Sequence, residues 1–218
     1  MANSIKDPIS VSIIGGSGYT GAELIRLISK HPHFELNQVV ANRNAGKKIQ
    51  DIFPHLRHLN IPDFINLEEM NFDNVDLIFC ALPHATSQEI IVRIPEGKKI
   101  IDLSADFRLE QVEEYERWYG SKHIAHSLQE KAVYGLTEIY KEKIKKGSLI
   151  ACTGCNSAAS LYPVLPLLNE GIINSDSLII NLGAGVSGAG RDAKQNIIHA
   201  EVSEGCLLYT SPSPRDNR

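Results

Sequence analysis

Apolar runs of four to seven residues recur over the first 150 residues or so, at 11–14, 36–41, 75–81, 100–103 and 149–152. The stretches between them carry apolar residues at helical spacing. Short, nearly continuous apolar runs alternating with amphipathic segments predict a parallel sheet covered by helices. After the first run, Leu24, Leu27 and Ile28 fall on one helical face, and the helix should end before Pro32. Thr86 and Glu89 have the spacing of a capping box ahead of Ile90, Ile91 and Ile94, so a helix should start there. Residues 109–119 read as a charged, solvent-facing helix. Residues 42–66, with Pro54 and Pro62 and no clean period, read as loop with one short helix.

The pattern changes after residue 149. The last strand of the first series enters Thr153-Gly154-Cys155-Asn156, followed by an apolar helix that Pro163 and Pro166 should interrupt. A strand over 177–182 is expected next, feeding a glycine-rich loop over 183–190. The expected organisation is α/β: a Rossmann-type parallel-sheet domain over 1–153, followed by the start of an α+β catalytic and dimerisation domain over 154–205. Residues 206–218 fit no strand or helix pattern and resemble one reading frame of a sequencing adapter, so native sequence is expected to stop near Gly205 and the natural protein to continue beyond it.

Composition narrows the class of protein. The 218 residues carry a net charge of −4 without a basic block, which argues against nucleic acid as the main partner. No apolar stretch approaches a membrane span, and residues 1–10 lack a signal-type apolar core. Four irregularly spaced cysteines do not form a disulfide framework, so a cytoplasmic location is expected.

The candidate chemistry begins with Gly16, Gly18 and Gly21, at G-x-G-x-x-G spacing between a strand and a helix. That context is a dinucleotide fingerprint, with Ser17, Tyr19 and Thr20 in the same turn and the helix N-terminus facing a pyrophosphate. At the end of the second strand no carboxylate is available for an adenosine ribose. Arg43 and Lys47 stand there instead, and the guanidinium fork suits the extra phosphate of NADP; a solvated loop charge is the alternative for Arg43. His84 follows the 75–81 strand at the sheet edge where such folds bind ligands, as cofactor contact or simple turn residue. Ser104 and Arg108 follow the next strand as candidate substrate groups, with an ion pair to Asp102 or Asp106 as the alternative for Arg108.

Cys155 falls in the first turn of a helix, where unpaired amides and the positive dipole end favour a thiolate nucleophile. The Cys152–Cys155 spacing also leaves redox or metal roles open, but one such pair cannot close a tetrahedral site. Cys80, inside an apolar strand, reads as a buried small hydrophobe. His31, His33, His55, His58, His123 and His126 have no supporting carboxylate cluster and read as surface residues, so no metal is expected.

The segments Gly-Gly-Ser-Gly-Tyr-Thr-Gly-Ala-Glu-Leu (15–24), Arg-Asn-Ala-Gly-Lys (43–47), Ala-Leu-Pro-His (81–84), Asp-Leu-Ser-Ala-Asp-Phe-Arg (102–108), Tyr-Gly-Leu-Thr-Glu (134–138), Gly154-Cys155 and Gly-Val-Ser-Gly-Ala-Gly-Arg (185–191) occur in this order. Together they resemble the N-acetyl-gamma-glutamyl-phosphate reductase family, relatives of the aspartate-semialdehyde dehydrogenases. The resemblance covers residues 9–205 and implies arginine biosynthesis, NADPH as reductant and a small acyl phosphate as substrate. It further implies a thioester on Cys155, cofactor and substrate contacts from Ser187, Gly188 and Arg191, and a homo-oligomer in the full-length form. The family's His-Arg-His motif, source of its general acid/base, does not occur in this chain, so the fragment is expected to bind cofactor poorly or not at all and to be inactive. The residues flanking Cys155 depart from the family's usual pattern, which keeps a carrier-protein-linked aminoadipyl or glutamyl phosphate as an alternative substrate. A non-catalytic NADP-binding module is the alternative from another class.

Overall fold

The computed structural model describes residues 8–192 and 195–202. The chain divides into two compact units, one ending at Cys152 and the other beginning at Thr153. The expected tail over 206–218 lies outside the described residues.

The first unit is built on seven strands: β1 (Ile9–Ile14), β2 (Phe34–Val40), β3 (Phe64–Ile65), β4 (Leu77–Cys80), β5 (Lys99–Asp102), β6 (Val133–Gly135) and β7 (Leu149–Cys152). All pairings are parallel, in the order β3-β2-β1-β4-β5-β7-β6. The chain moves outward from β1 in one direction, then returns to continue from its other side, so a topological switch falls between β1 and β4. Ligands of open α/β sheets bind outside the carboxyl ends of the strands at such a point. β1 is covered on both faces, as its apolar character requires. Val11 and Ile13 join one buried cluster with Ile25 and Ile28, while Ile14 joins the other with Ile78, Ile91 and Phe107.

One helix after β1, α1 (Tyr19–Ile28), has its core face on Gly21, Ala22, Ile25 and Ile28. Leu27, expected on that face, is 55% exposed; the helix is rotated so that Ile25 takes the central place. The short helix expected within 42–66 is α2 (Ile49–Ile52), while β3 in that region had no periodic signal. Helix α3 (Thr86–Ile91) starts where expected, but Thr86 does not cap it. The N-cap is Ala85, in the left-handed region at φ 64°, without a side-chain cap.

Helix α4 (Val112–Tyr119) is charged yet not wholly solvent-facing, because Tyr115 is 0% exposed beneath it. Two further helices, α5 (His126–Gln129) and α6 (Thr137–Lys146), precede β7. His123, expected at the surface, is buried against Phe107 and Tyr115.

In the second unit, α7 (Cys155–Asn169) runs through Pro163 and Pro166 instead of breaking at them. The strand expected over 177–182 is absent among the described residues. A short 3-10 turn, Ser175–Ser177, stands at its start, and Ile179 is 87% exposed. An apolar run becomes a strand only with a ladder partner, and no described segment of this unit provides one. A further 3-10 turn, Val186–Ala189, lies in the second glycine-rich loop, and α8 (His199–Val202) ends the described chain. No helix among the described residues is long and apolar enough to cross a membrane.

Candidate functional site

One row of paired residues crosses the carboxyl edge of the sheet: Ile65, Val40, Ile14, Cys80, Asp102, Ala151 and Tyr134. Each motif segment of the first unit starts at this row or just beyond it. The fold therefore gathers the glycine loop, the Arg43 loop, the His84 turn and the 102–108 loop on one edge.

The glycine loop follows β1. Both the Gly15 and Gly16 amides donate to the Val40 carbonyl at 2.9 Å, pinning the turn across β2. Each fingerprint glycine answers a different demand. A side chain on Gly16 would overlap Val39 Cγ1, and one on Gly21 would come within 2.6 Å of the Gly16 backbone, so both are required for helix–strand packing. A Cβ on Gly18 would meet nothing within 4 Å, and its φ of −84° is ordinary for any residue. The space beside Gly18 is thus open, with no protein atom within 4 Å to exclude a ligand. Within α1, the Ala22 amide reaches back to the Gly18 carbonyl at 3.0 Å, while the amides of the first turn point out of the helix toward an anion. These features fit a dinucleotide pyrophosphate.

Arg43 lies on the 3-10 turn Asn42–Asn44 directly after β2. β3 holds this loop: the Gly46 amide donates to Phe64 O at 2.7 Å, and the Phe64 amide donates to Lys47 O at 3.0 Å. Lys47 Nζ donates to Asn44 Oδ1 at 3.3 Å. Arg43 and Lys47 are exposed, and no carboxylate stands between Val40 and Lys48. The arrangement suits a phosphate beyond the end of β2.

The turn after β4 meets the glycine loop directly, since Ala81 and Leu82 close the space beside Gly15. His84 is exposed, and its Nδ1 accepts from the Ala105 amide at 3.0 Å. Burial of the ring and the nearby Arg108 cation hold its pKa below the ordinary imidazole value. Because Nδ1 accepts from the Ala105 amide, the neutral ring carries its proton on Nε2.

Ser104 and Arg108 differ from expectation in what they touch. Ser104 is buried, donating through Oγ to Asp102 Oδ2 at 2.6 Å and accepting from the Asp106 amide at 3.0 Å. Its hydroxyl organises the 102–106 loop. Arg108 pairs with neither Asp102 nor Asp106. Nε donates to Cys152 O at 2.7 Å and Nη2 to Leu103 O at 2.8 Å, so the side chain fastens the ends of β5 and β7. Asp102 accepts hydrogen bonds from both Ser87 and Ser104, yet burial still pushes its pKa above the usual carboxylate value. Cys80 is fully buried, as expected for a strand hydrophobe, and burial raises its thiol pKa.

Two contributors were missed in the sequence, where Asp106 stood inside the 102–108 segment only as a possible ion-pair partner of Arg108. Asp106 is 0% exposed and accepts from the Ala85 amide at 2.8 Å, the Gln88 amide at 3.0 Å and the Tyr115 hydroxyl at 2.9 Å. The cap of α3 is this carboxylate from another loop. The β3 clamp on the Arg43 loop was equally silent, being two residues long.

In the second unit Cys155 is the first residue of α7, with Gly154 as N-cap. The thiol is exposed, 3.8 Å from Asn156 Oδ1. Ser187, Gly188 and Arg191 are exposed in the loop around the Val186–Ala189 turn. Among the described residues no group of three His, Cys, Asp or Glu could hold a metal ion.

The fold and the glycine cradle define a nicotinamide-dinucleotide domain of the semialdehyde dehydrogenase type. The profile described as semialdehyde dehydrogenase, NAD binding domain, matches residues 10–147, and that of the dimerisation domain matches residues 155–214. The chain belongs to the semialdehyde dehydrogenase family. It is 51% identical over 201 residues to the N-acetyl-gamma-glutamyl-phosphate reductase of Rhodobacter capsulatus, covering 92% of this chain and 59% of that protein. It is 52% identical over 202 residues to the reductase of the same name from Cereibacter sphaeroides, covering 93% of this chain and 59% of that protein. The chain thus spans about three fifths of the length of these relatives. Among solved structures, the aspartate semialdehyde dehydrogenase with NADP from Candida albicans aligns with a TM-score of 0.54 at 21% identity, covering 75% of this chain and 48% of that one. That likeness is one of fold.

Proposed function

We propose that the protein reduces N-acetyl-glutamyl 5-phosphate to N-acetyl-glutamate 5-semialdehyde with release of phosphate, using NADPH. The observation that carries this reading is the single sheet edge onto which the first unit folds its motifs. That edge has an open cradle at Gly18 and a basic loop, free of carboxylates, at Arg43. The identity of about one half to reductases of this name supports the choice of substrate.

The dinucleotide would rest on the 16–21 loop, with its adenosine phosphate toward Arg43 and Lys47 and with His84 as a neutral donor on the same edge. When bound, it supplies the hydride. Cys155 is the nucleophile: its sulfur attacks the acyl carbon, phosphate departs, and a thioester remains on the enzyme. Reduction of that thioester gives a thiohemiacetal, which collapses to the aldehyde and frees the thiol. Arg108, Arg191, Ser187 and Gly188 belong to the same reading as substrate and cofactor contacts. Ser104 acts there through the loop that it organises. The matched dimerisation profile supports a homo-oligomer for the complete protein.

The test is phosphate-dependent reduction of NADP by the product of the full-length gene, with N-acetyl-glutamate semialdehyde as substrate. Turnover that disappears in Cys155→Ser is expected. No turnover with Cys155 intact refutes the reading.

A further inference from the structure

We propose that Asp106 is a positioning residue for dinucleotide binding, holding the 82–86 turn beside the glycine loop in a conformation that the turn does not adopt by its own preference. The inference rests on the reading that this sheet edge binds NADPH.

Ala85 is the one non-glycine residue with positive φ among the described residues, at 64°. An L side chain in that region is strained, and the strain persists only where surrounding contacts over-determine it. Those contacts come from the loop after β5. Asp106 Oδ1 accepts from the Ala85 amide and Oδ2 from the Gln88 amide, while the Ala105 amide donates back to His84 Nδ1. The two loops are thus tied in both directions, and the tie to His84 fixes which ring nitrogen carries the proton.

Asp106 itself is fully buried, and no ion pair among the described residues reaches it. A buried carboxylate without a cation is costly unless its acceptor sites are filled. Here the donors are the Ala85 amide in the turn, the Gln88 amide in the first turn of α3, and Tyr115 Oη at 2.9 Å. A local cap from Thr86 would need none of this burial. What the distant carboxylate adds is a link between the helix start, the strained residue and His84. The turn it holds abuts Gly15: a side chain there would come within 3.2 Å of Leu82 Cδ2. Displacement of the turn would therefore reach the cradle.

The experiment is a fluorescence titration of the product of the full-length gene with NADPH, with circular dichroism as the check on folding. Asp106→Asn keeps the size but replaces one acceptor by a donor facing an amide. It is expected to raise the NADPH Kd by about tenfold or more. Tyr115→Phe removes the third donor, together with the hydroxyl's contact to Gln88 Nε2, but leaves the Ala85 and Gln88 amides on the Asp106 carboxylate, and should leave Kd within about twofold. Adding Ala85→Gly to Asp106→Asn relieves the positive φ and should recover Kd to within about threefold of wild type. A purely structural role for Asp106 would not be rescued in this way.

Wild-type Kd in Asp106→Asn overturns the proposal, as does equal weakening in Tyr115→Phe or no recovery in the double variant. Should Asp106→Asn fail to fold, Ala85→Val provides the same test. It raises the strain with the carboxylate in place, so it should weaken binding, and an unchanged Kd overturns the proposal. If the wild-type full-length protein does not bind NADPH, both this inference and the reading beneath it fall. If it binds and Asp106→Asn binds equally well, the inference alone falls.

Discussion

Alanine at Gly18 should separate binding from folding in a way that alanine at Gly16 or Gly21 cannot. A methyl group on Gly18 enters open space, and the backbone at φ −84°, ψ 172° is one that alanine adopts freely. Two small terms act on stability. Glycine is better than alanine as an N-cap by about 0.5–1 kcal/mol, and alanine gains about 0.4–1 kcal/mol by restricting the unfolded chain. They nearly cancel, leaving a net change under about 0.5 kcal/mol and a thermal midpoint within roughly 2 °C of wild type. By contrast, alanine at Gly16 overlaps buried Val39, and at Gly21 it comes within 2.6 Å of the Gly16 backbone. Overpacking of this kind costs about 1–3 kcal/mol, which for a chain of this size lowers the midpoint by roughly 2–12 °C.

Binding should rank the variants differently. If the pyrophosphate occupies the space beside Gly18, the added methyl displaces it from the first-turn amides of α1. Loss of one charge-assisted hydrogen bond, about 1.5–3 kcal/mol, corresponds to roughly 10- to 150-fold in Kd. The assay is thermal unfolding with and without NADPH, together with calorimetric titration. Gly18→Ala should melt like wild type, lose the NADPH-induced rise in midpoint and bind weakly. Wild-type affinity in Gly18→Ala, or a loss of stability equal to that of Gly16→Ala, refutes the assignment of the cradle.

Arg43→Ala should raise the Kd of NADPH by about tenfold or more while leaving that of NADH within about twofold; parallel titrations decide, and equal losses for both would remove Arg43 from phosphate recognition. Iodoacetamide near neutral pH should label Cys155, the exposed thiol of α7, well before buried Cys80; labelling of Cys80 at the same rate contradicts the placement of the two thiols. His123 is buried, with its pKa depressed chiefly by that burial, against opposing effects from Asp106 and Glu116 and with the help of His126. Between the depressed folded value and the ordinary 6.5, the unfolded chain binds more protons, so stability should fall as pH drops below about 6.5. His123→Gln should flatten that fall in midpoint against pH, and an unchanged slope refutes the contribution.

Long, buried elements were legible in the sequence because their pattern is set by burial on both faces. The five apolar runs became β1, β2, β4, β5 and β7. β3 and β6 were not legible, having two and three residues and a pairing partner on one side only. The pattern over 177–182 shows the converse: the residues have the character of a strand, and the described chain offers them no ladder. Helix rotation was half legible. Leu24, Leu27 and Ile28 satisfy the helical spacing equally well in sequence, but contact with β1 and β2 selects Ile25 and exposes Leu27.

The candidate site divides along the same physical line. Gly16, Gly18 and Gly21 could be recognised because their spacing between a strand and a helix is a local motif. The sequence could not say which glycine serves packing and which leaves room for a ligand, because Val39 and the Gly16 backbone enter only through the fold. The alternative ion pair of Arg108 with Asp102 or Asp106 does not form, and the carbonyls of Leu103 and Cys152 that it reaches instead carry no side-chain signature. Asp106 was the least legible of all. A capping box at Thr86 was the local solution, and the chain uses a carboxylate eighteen residues beyond Gln88 instead. A local cap would stabilise α3 alone. The distant one ties the start of α3 to the loop after β5, the two segments that flank the carboxyl edge on this side.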